Sequence, residues 1–275
     1  IMGLIAHSPS AHVSEGRVTV GGADLLTLSR RELRKRQGKD LAMVFQEPMT
    51  SLNPAFTVAD QIGESIRYHL GSSRKEALER SIELLEEVGI ADARRRVNDY
   101  PHQFSGGMRQ RVMLAVALAC EPSLLIADEP TTALDVTVQA QMLELLRSLV
   151  ERHGMAVIFI THDLGVIAEV CDRVTVLYAG QVIESGPVGE VINRPRHPYT
   201  EGLLRSVPGD DDLPLWWIDG SPPLPGQMPA GCRFSPRCHH AQDACVDGDV
   251  PLVTTDDGRV VRCVRVDELS LIGRD

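Results

Sequence analysis

Three short apolar runs, set between longer stretches of helical periodicity, constrain this chain more than any other feature. Leu41-Ala42-Met43-Val44-Phe45, Leu124-Leu125-Ile126-Ala127 and Met155 to Ile160 are continuous and brief, as suits strands buried in a sheet. Leu78, Ile82, Leu85 and Val88 recur at helical spacing before Gly89, and Val112, Ala115, Val116 and Ala119 do so between Ser105 and Pro122. Val138, Met142, Leu145, Leu149 and Val150 form a third such stripe from about Val136 to His153. Strands alternating with helices predict an α/β fold with a parallel sheet covered on both faces. The helical pattern from Thr57 to Val88 reads as an insert into that fold.

The flanks are simpler. Residues 17–28 alternate around Gly21-Gly22 as a hairpin does, and the basic stretch Arg30 to Lys39 reads as a solvated helix face. Val174–Tyr178 and Gln181–Glu184, hinged at Gly180, predict a closing hairpin. From Arg194 onward prolines are frequent and periodicity is lost, which predicts a small loop-rich module held by something other than a core.

With 275 residues, 43% of them hydrophobic, the chain can bury one core and leave residues for that module. A formal charge of −10 argues against a general affinity for nucleic acid or anionic lipid. No apolar run approaches the roughly 18 residues of a membrane span. The opening Ile1-Met2-Gly3-Leu4-Ile5-Ala6 lacks a basic leader and reads as the tail of a helix. Of six cysteines, Cys232, Cys238, Cys245 and Cys263 crowd into the last 44 residues, a clustering that suggests metal ligands in a reducing compartment. Cys120 and Cys171, among apolar neighbours, read as core residues.

Asp128 and Glu129 follow the second apolar run, at the strand edge where α/β folds bind ligands. An aspartate there can hold hydrated magnesium, and its neighbour can orient or deprotonate a water attacking a phosphate. Alone the pattern is weak, because a buried strand ending in two solvated acids is commonplace without function. Phe104-Ser105-Gly106-Gly107-Met108-Arg109-Gln110 sets a serine and two glycines where a helix begins. That arrangement suits either phosphate on free amides or a plain serine cap. Context favours function: Ser105 lies 23 residues before Asp128, and Thr132-Ala133-Leu134-Asp135 and Thr161-His162-Asp163 follow in order.

Taken together these stretches resemble an ABC-type ATPase. Gln46 resembles the Q-loop glutamine, Ser105-Gly106-Gly107 the signature motif, Asp128-Glu129 the Walker B pair, Ala133-Leu134-Asp135 the D-loop and His162 the switch histidine. Phe104 and Met108 depart from the commonest signature and leave its Ser-Gly-Gly core intact. Phe45-Gln46-Glu47-Pro48-Met49-Thr50-Ser51-Leu52-Asn53-Pro54, Glu129-Pro130-Thr131-Thr132-Ala133-Leu134-Asp135-Val136-Thr137, Arg196-His197-Pro198-Tyr199-Thr200 and Gly231-Cys232-Arg233-Phe234-Ser235-Pro236-Arg237-Cys238 resemble the oligopeptide and dipeptide importer branch. The resemblance covers essentially the whole chain. The family's P-loop, Gly-x-x-x-x-Gly-Lys-Ser/Thr, is absent from the sequence; Gly38-Lys39 has no glycine five residues before it and is followed by Asp40. Ile1-Met2-Gly3-Leu4 resembles the helix after that loop, so the chain is expected to begin inside the domain, without its first strands, and to bind ATP poorly alone.

The resemblance implies a P-loop NTPase fold of ABC type. A nucleotide-binding domain is expected over 1–193, with a helical subdomain at about 55–104 and a cysteine-containing extension over 194–275. It implies ATP and Mg²⁺ as cofactors: Asp128 with Gln46 holds Mg²⁺, Glu129 positions or activates water, His162 contacts the γ-phosphate, and Asp135 couples two sites. Ser105, Gly106 and Gly107 would face the nucleotide of a second ATPase subunit, identical or paralogous. Expected partners are that subunit, a transmembrane permease met through the surface from Gln46 to His102, and indirectly an extracytoplasmic solute-binding protein, with no nucleic acid. The expected location is the cytoplasmic face of the membrane. The four late cysteines, with five, six and seventeen residues between them, resemble a segment that carries a [4Fe–4S] cluster in some members. Zinc and unmetallated thiols are the alternatives, the first two gaps being wide for structural zinc. His239 and His240 read as surface residues, and Trp216-Trp217 as a cover for an apolar surface of the module. Competing functional readings are a partner-dependent or defunct subunit lacking a P-loop, and a soluble ABC ATPase of DNA repair or translation.

Overall fold

A computed structural model describes residues 1–3, 12–46, 51–132, 134–207 and 216–274. The chain divides into two compact units, residues 1–162 and 163–275.

In the first unit, β1 (Thr19–Val20) and β2 (Ala23–Asp24) form the expected hairpin. Helix α1 (Arg30–Arg36) follows, closed at its start by a Ser29/Glu32 capping box and without a buried residue. The apolar runs become β3 (Leu41–Val44), β4 (Leu124–Asp128) and β5 (Ala156–Ile160), a parallel sheet of order β3-β4-β5. Register is unbroken, with Val44 beside Ala127 and Asp128 beside Ile160.

The helical insert is two helices, α2 (Val58–Leu70) and α3 (Arg74–Glu87). Gly71 in the left-handed region (φ 71°) ends the first, and a Ser73/Glu76 capping box starts the second. Helix α4 (Gly106–Leu118) packs against both and against β3. Ile62, Ile66, Leu84, Leu85, Leu114 and Leu118 are buried in one core with Val44, Leu125 and Leu149. Helix α5 (Val136–His153) buries Met142, Leu143, Leu146 and Leu149, while the expected Leu145 and Val150 are half-buried.

The expectation of a sheet covered on both faces fails at β5. Its residues alternate, and Ile158 and Ile160 are 38% and 46% exposed. A continuous apolar run carries no phase, so a strand covered on one face reads like one covered on two. Ile1–Gly3 are not helical, and the rest of the expected opening helix, 4–11, lies outside the described residues.

In the second unit, helix α6 (Leu164–Val170) precedes β6 (Arg173–Tyr178) and β7 (Gln181–Pro187), the expected hairpin. The hairpin continues into an antiparallel sheet of order β6-β7-β9-β8, through β8 (Val253–Thr254) and β9 (Val260–Val261). Helices α7 (Val188–Asn193) and α8 (Pro198–Ser206) follow β7. The core gathers Val174, Val176, Tyr178, Ile183, Val191 and Phe234. Trp216 packs on Gly202 and under Arg205, as a covering residue should, whereas Trp217 is 71% exposed.

Candidate functional site

Because β3, β4 and β5 are parallel and in register, their carboxyl ends bring two distant side chains onto one carboxylate. Gln46 lies two residues past β3, Glu129 one past β4 and His162 two past β5. Gln46 Nε2 donates to Glu129 Oε2 at 2.7 Å, and His162 Nδ1 meets Glu129 Oε1 at 3.0 Å. A carboxylate only accepts, so this contact puts a proton on His162 Nδ1. The Glu129 N–H donates to Ile160 O at 2.9 Å. Glu129 takes φ 45°, a left-handed conformation that a residue with a Cβ adopts at a cost of roughly 1–2 kcal/mol.

Thr132, quoted in the motif and given no role there, completes the arrangement. With Pro130 second in the turn, the Thr132 N–H closes onto Glu129 O at 3.1 Å, and its Oγ1 donates to Glu129 Oε2 at 2.8 Å. The signal available in the sequence was Glu-Pro-x-Thr, a turn that returns its fourth residue to its first. The hydrogen bond from His162, then that from Thr132, holds the Glu129 carboxyl below its ordinary value. Asp128 closes β4 and is half-buried.

The signature turn and Asp135 form a second group. Ser105 caps α4, its Oγ accepting from Met108 N at 3.4 Å, and Asp135 caps α5, its Oδ1 accepting from Val138 N at 3.0 Å. A Cβ on Gly107 would lie 3.0 Å from Val138 Cγ1, whereas one on Gly106 would meet open space. The second glycine thus brings the two helix starts together, and the first leaves the backbone open to a ligand. No hydrogen bond among the described residues joins this group to Glu129 or His162. Ala133 of the D-loop and residues 47–50 lie outside the described residues.

In the second unit, Cys232, Cys238, Cys245 and Cys263 line one pocket with His197, His240 and Arg265. The Cys232 N–H donates to Cys245 O at 2.8 Å, and a Cβ on Gly231 would strike that same carbonyl, so only glycine lets the two segments cross. Burial pushes the Cys238 and Cys263 thiols up to about 11, and the neighbouring cysteines push the same way. His240, expected at the surface, is partly exposed and also lines the pocket. Among the described residues no group of three His, Cys, Asp or Glu is placed to hold a single metal ion.

Residues 1–132 match the ABC transporter family, and residues 183–245 match the C-terminal region of oligopeptide/dipeptide transporters. The Bacillus subtilis oligopeptide transport ATP-binding protein AppD is 48% identical over 271 residues, covering 98% of this chain and 82% of AppD. This chain belongs to the ATP-binding proteins of ABC peptide importers. A Brucella ovis protein provisionally named for peptide import ATP binding is 52% identical over 255 residues, covering 90% of this chain and 75% of its own length. Among solved structures, the ADP- and Pi-bound dimer of the ATP-binding cassette MJ0796 aligns with a TM-score of 0.57 at 30% identity, over 64% of this chain and 74% of that one. CbiO1 of Clostridium perfringens, part of the cbiONQ transporter complex, aligns at 0.56 and 29%, over 65% and 68%. No described helix of this importer subunit is long and apolar enough to cross a membrane.

Proposed function

We propose that this subunit hydrolyses ATP where Gln46, Asp128, Glu129 and His162 meet, and passes the resulting closure to a peptide permease. The observation that carries the reading is the Glu129 carboxylate, held at once by Gln46, Thr132 and His162. Asp128, with the Gln46 amide oxygen, fits a hydrated Mg²⁺, which supplies charge to the phosphates when bound. Glu129 orients the attacking water, and His162, its Nδ1 spent on Glu129, leaves Nε2 for the γ-phosphate. Ser105, Gly106 and Gly107 present their open helix start to the nucleotide of a second, identical or paralogous subunit, and Asp135, tied to that turn through Val138, couples the two sites. This reading takes residues 1–193 as the nucleotide-binding part and 194–275 as the extension, and places the subunit on the cytoplasmic face of the membrane beneath a permease fed by an external solute-binding protein. No Gly-x-x-x-x-Gly-Lys-Ser/Thr stretch occurs in the 275 residues, so tests belong in the assembled importer. There, His162→Ala is expected to cut ATP-driven uptake of a labelled peptide by about 10²-fold. Uptake at the wild-type rate would overturn the assignment.

The cysteine pocket favours a second reading, a [4Fe–4S] cluster held by Cys232, Cys238, Cys245 and Cys263. All four cysteines line one pocket. A single ion would need its ligands gathered on one point, which the described residues do not do; a cluster has an iron at each corner and accepts a wider set. Its iron supplies the positive charge that four adjacent thiolates require. Anaerobically purified chain is expected to contain about four iron atoms and four sulfides, lost in Cys232→Ser. Stoichiometric zinc, or no metal, would sink this reading.

A further inference from the structure

Phe104 and Met108, the two departures from the commonest signature, touch the same side chain. Arg96 ends a short helix, Ala93–Arg96, and its guanidinium lies over the Phe104 ring, 4.3 Å from the centroid. Its Nη1 donates to Met108 Sδ at 3.5 Å and its Nη2 to Gln103 O at 3.1 Å, while Nε donates to Asp99 Oδ2 at 3.2 Å. Phe104 is buried and the Arg96 side chain is 21% exposed, so the contact with the ring is largely desolvated and stronger than a surface one. Ser105, Gly106 and Gly107 have no side chain long enough to brace their own turn, and the Ser105 cap is long at 3.4 Å. Gln103 and Phe104 on one side of the turn and Met108 on the other are held instead by a single planar group.

The segment around Arg96 is also tied to the helical insert. At the start of α2, the Val58 N–H donates to Asp99 O at 3.0 Å and the Ala59 N–H to Val97 O at 2.7 Å. Backbone bonds and one guanidinium thus connect the first insert helix to the signature turn. We infer that Arg96 is a positioning residue for ATP-driven closure, fixing the Ser105-Gly106-Gly107 turn against the insert so that its open helix start meets the nucleotide of the second subunit. The inference rests on the assignment of that turn to a second subunit's nucleotide. Arginine is needed for its shape as well as its charge. Lysine keeps the charge but loses the plane that lies on Phe104 and the fork that reaches Gln103 and Met108 together.

In the assembled importer, the ATP concentration for half-maximal hydrolysis would be measured for Arg96→Lys, Phe104→Leu and the double variant, with Gly106→Val as the control for the turn itself. A Cβ on Gly106 meets nothing within 4 Å, so a valine there obstructs what binds from outside. Arg96→Lys is expected to raise the half-maximal concentration about tenfold, the size of losing one hydrogen bond to a charged group. The effect falls on half-saturation rather than on the maximal rate, because Gln46, Glu129 and His162 are untouched. Phe104→Leu should raise it about threefold, and the double variant no further than Arg96→Lys, since two side chains acting through one contact do not add. Wild-type half-saturation in Arg96→Lys, an effect confined to the maximal rate, or additive effects in the double variant would overturn the inference while Gly106→Val still impairs ATP use. Should Arg96→Lys fail to assemble, unchanged half-saturation in Phe104→Leu would overturn it. Gly106→Val with wild-type ATP dependence would remove the assignment of the turn and this inference together.

Discussion

Glu129→Gln in the assembled importer is expected to lower Mg-ATP turnover by about 10³-fold, within the range for removing a preorganised polar group from the reacting centre, while ATP still binds. The substitution preserves shape. An amide oxygen can still accept from Thr132 Oγ1 and Gln46 Nε2, which both reach Glu129 Oε2. What is lost is the second acceptor oxygen, the one facing His162 Nδ1, and with it the negative charge and the capacity to take a proton. The lowered Glu129 pKa bears on which loss matters more. A carboxylate held below its ordinary 4.5 by His162 and Thr132 is a weak base, so in this arrangement it orients water better than it deprotonates it. The acid limb of the rate profile should accordingly fall below the ordinary carboxylate range. Phosphate release and nucleotide binding would be measured separately on the same preparation. Turnover within a few-fold of wild type would remove Glu129 from the chemistry; loss of binding as well would mean the substitution had disturbed the sheet edge instead.

The parts of this site legible in the sequence were those set by local pattern. Leu41–Val44, Leu124–Asp128 and Ala156–Ile160 announced themselves as strands because burial leaves a continuous apolar run, and Asp128 and Glu129 followed because they close such a run, whereas Gln46 and His162 took their roles from the resemblance to ABC-type ATPases. The Ser105 cap was readable from a serine set where a helical stripe begins, whereas the cap made by Asp135 was not, since Asp135 entered only through its motif. What escaped was phase and partnership. The continuous run at β5 concealed an exposed face, Ile158 and Ile160. The insert's break at Gly71 was weak against strong periodicity on either side. Strands β8 and β9, two residues each, are too short to show alternation at all. The cysteine spacing named four ligand candidates and could not say that His197, 35 residues before the first, joins them; that convergence depends on β9 pairing with β7. Thr132 was visible only as part of a motif, since its task depends on a turn rather than on a period.

The same β7–β9 pairing carries the second large effect. Glu184 is fully buried, opposite Val261 in the sheet, and Arg259 is 1% exposed. Glu184 Oε1 accepts the Arg196 N–H at 2.9 Å, Oε2 accepts the His197 N–H at 3.0 Å, and Arg259 Nη1 stands 3.7 Å from Oε1. Arg259 Nη1 also donates to Glu190 O at 2.9 Å and to Arg194 O at 2.6 Å, while its Nε donates to Asp257 at 2.9 Å. One carboxylate therefore ties β7, the approach to α8 and the arginine just before β9 together. Glu184→Ala leaves the buried His197 amide and the half-buried Arg196 amide without that acceptor and a buried guanidinium without its nearest carboxylate but Asp257, and should destabilise this unit by about 3–5 kcal/mol. The chain's two tryptophans, Trp216 and Trp217, both lie in residues 163–275, so the urea midpoint of tryptophan fluorescence reports this unit. Its pH dependence has a definite sign. Burial raises the Glu184 pKa above its ordinary 4.5 despite the bonds it accepts. Between that value and the raised one, the native chain binds more protons than the unfolded chain, so stability falls as pH rises. Glu184→Gln has no such proton to lose. Its deficit against wild type should therefore be largest near the ordinary carboxylate pKa and narrow as pH rises. A deficit that widens with pH would show instead that the charged Glu184–Arg259 contact outweighs the cost of burying it.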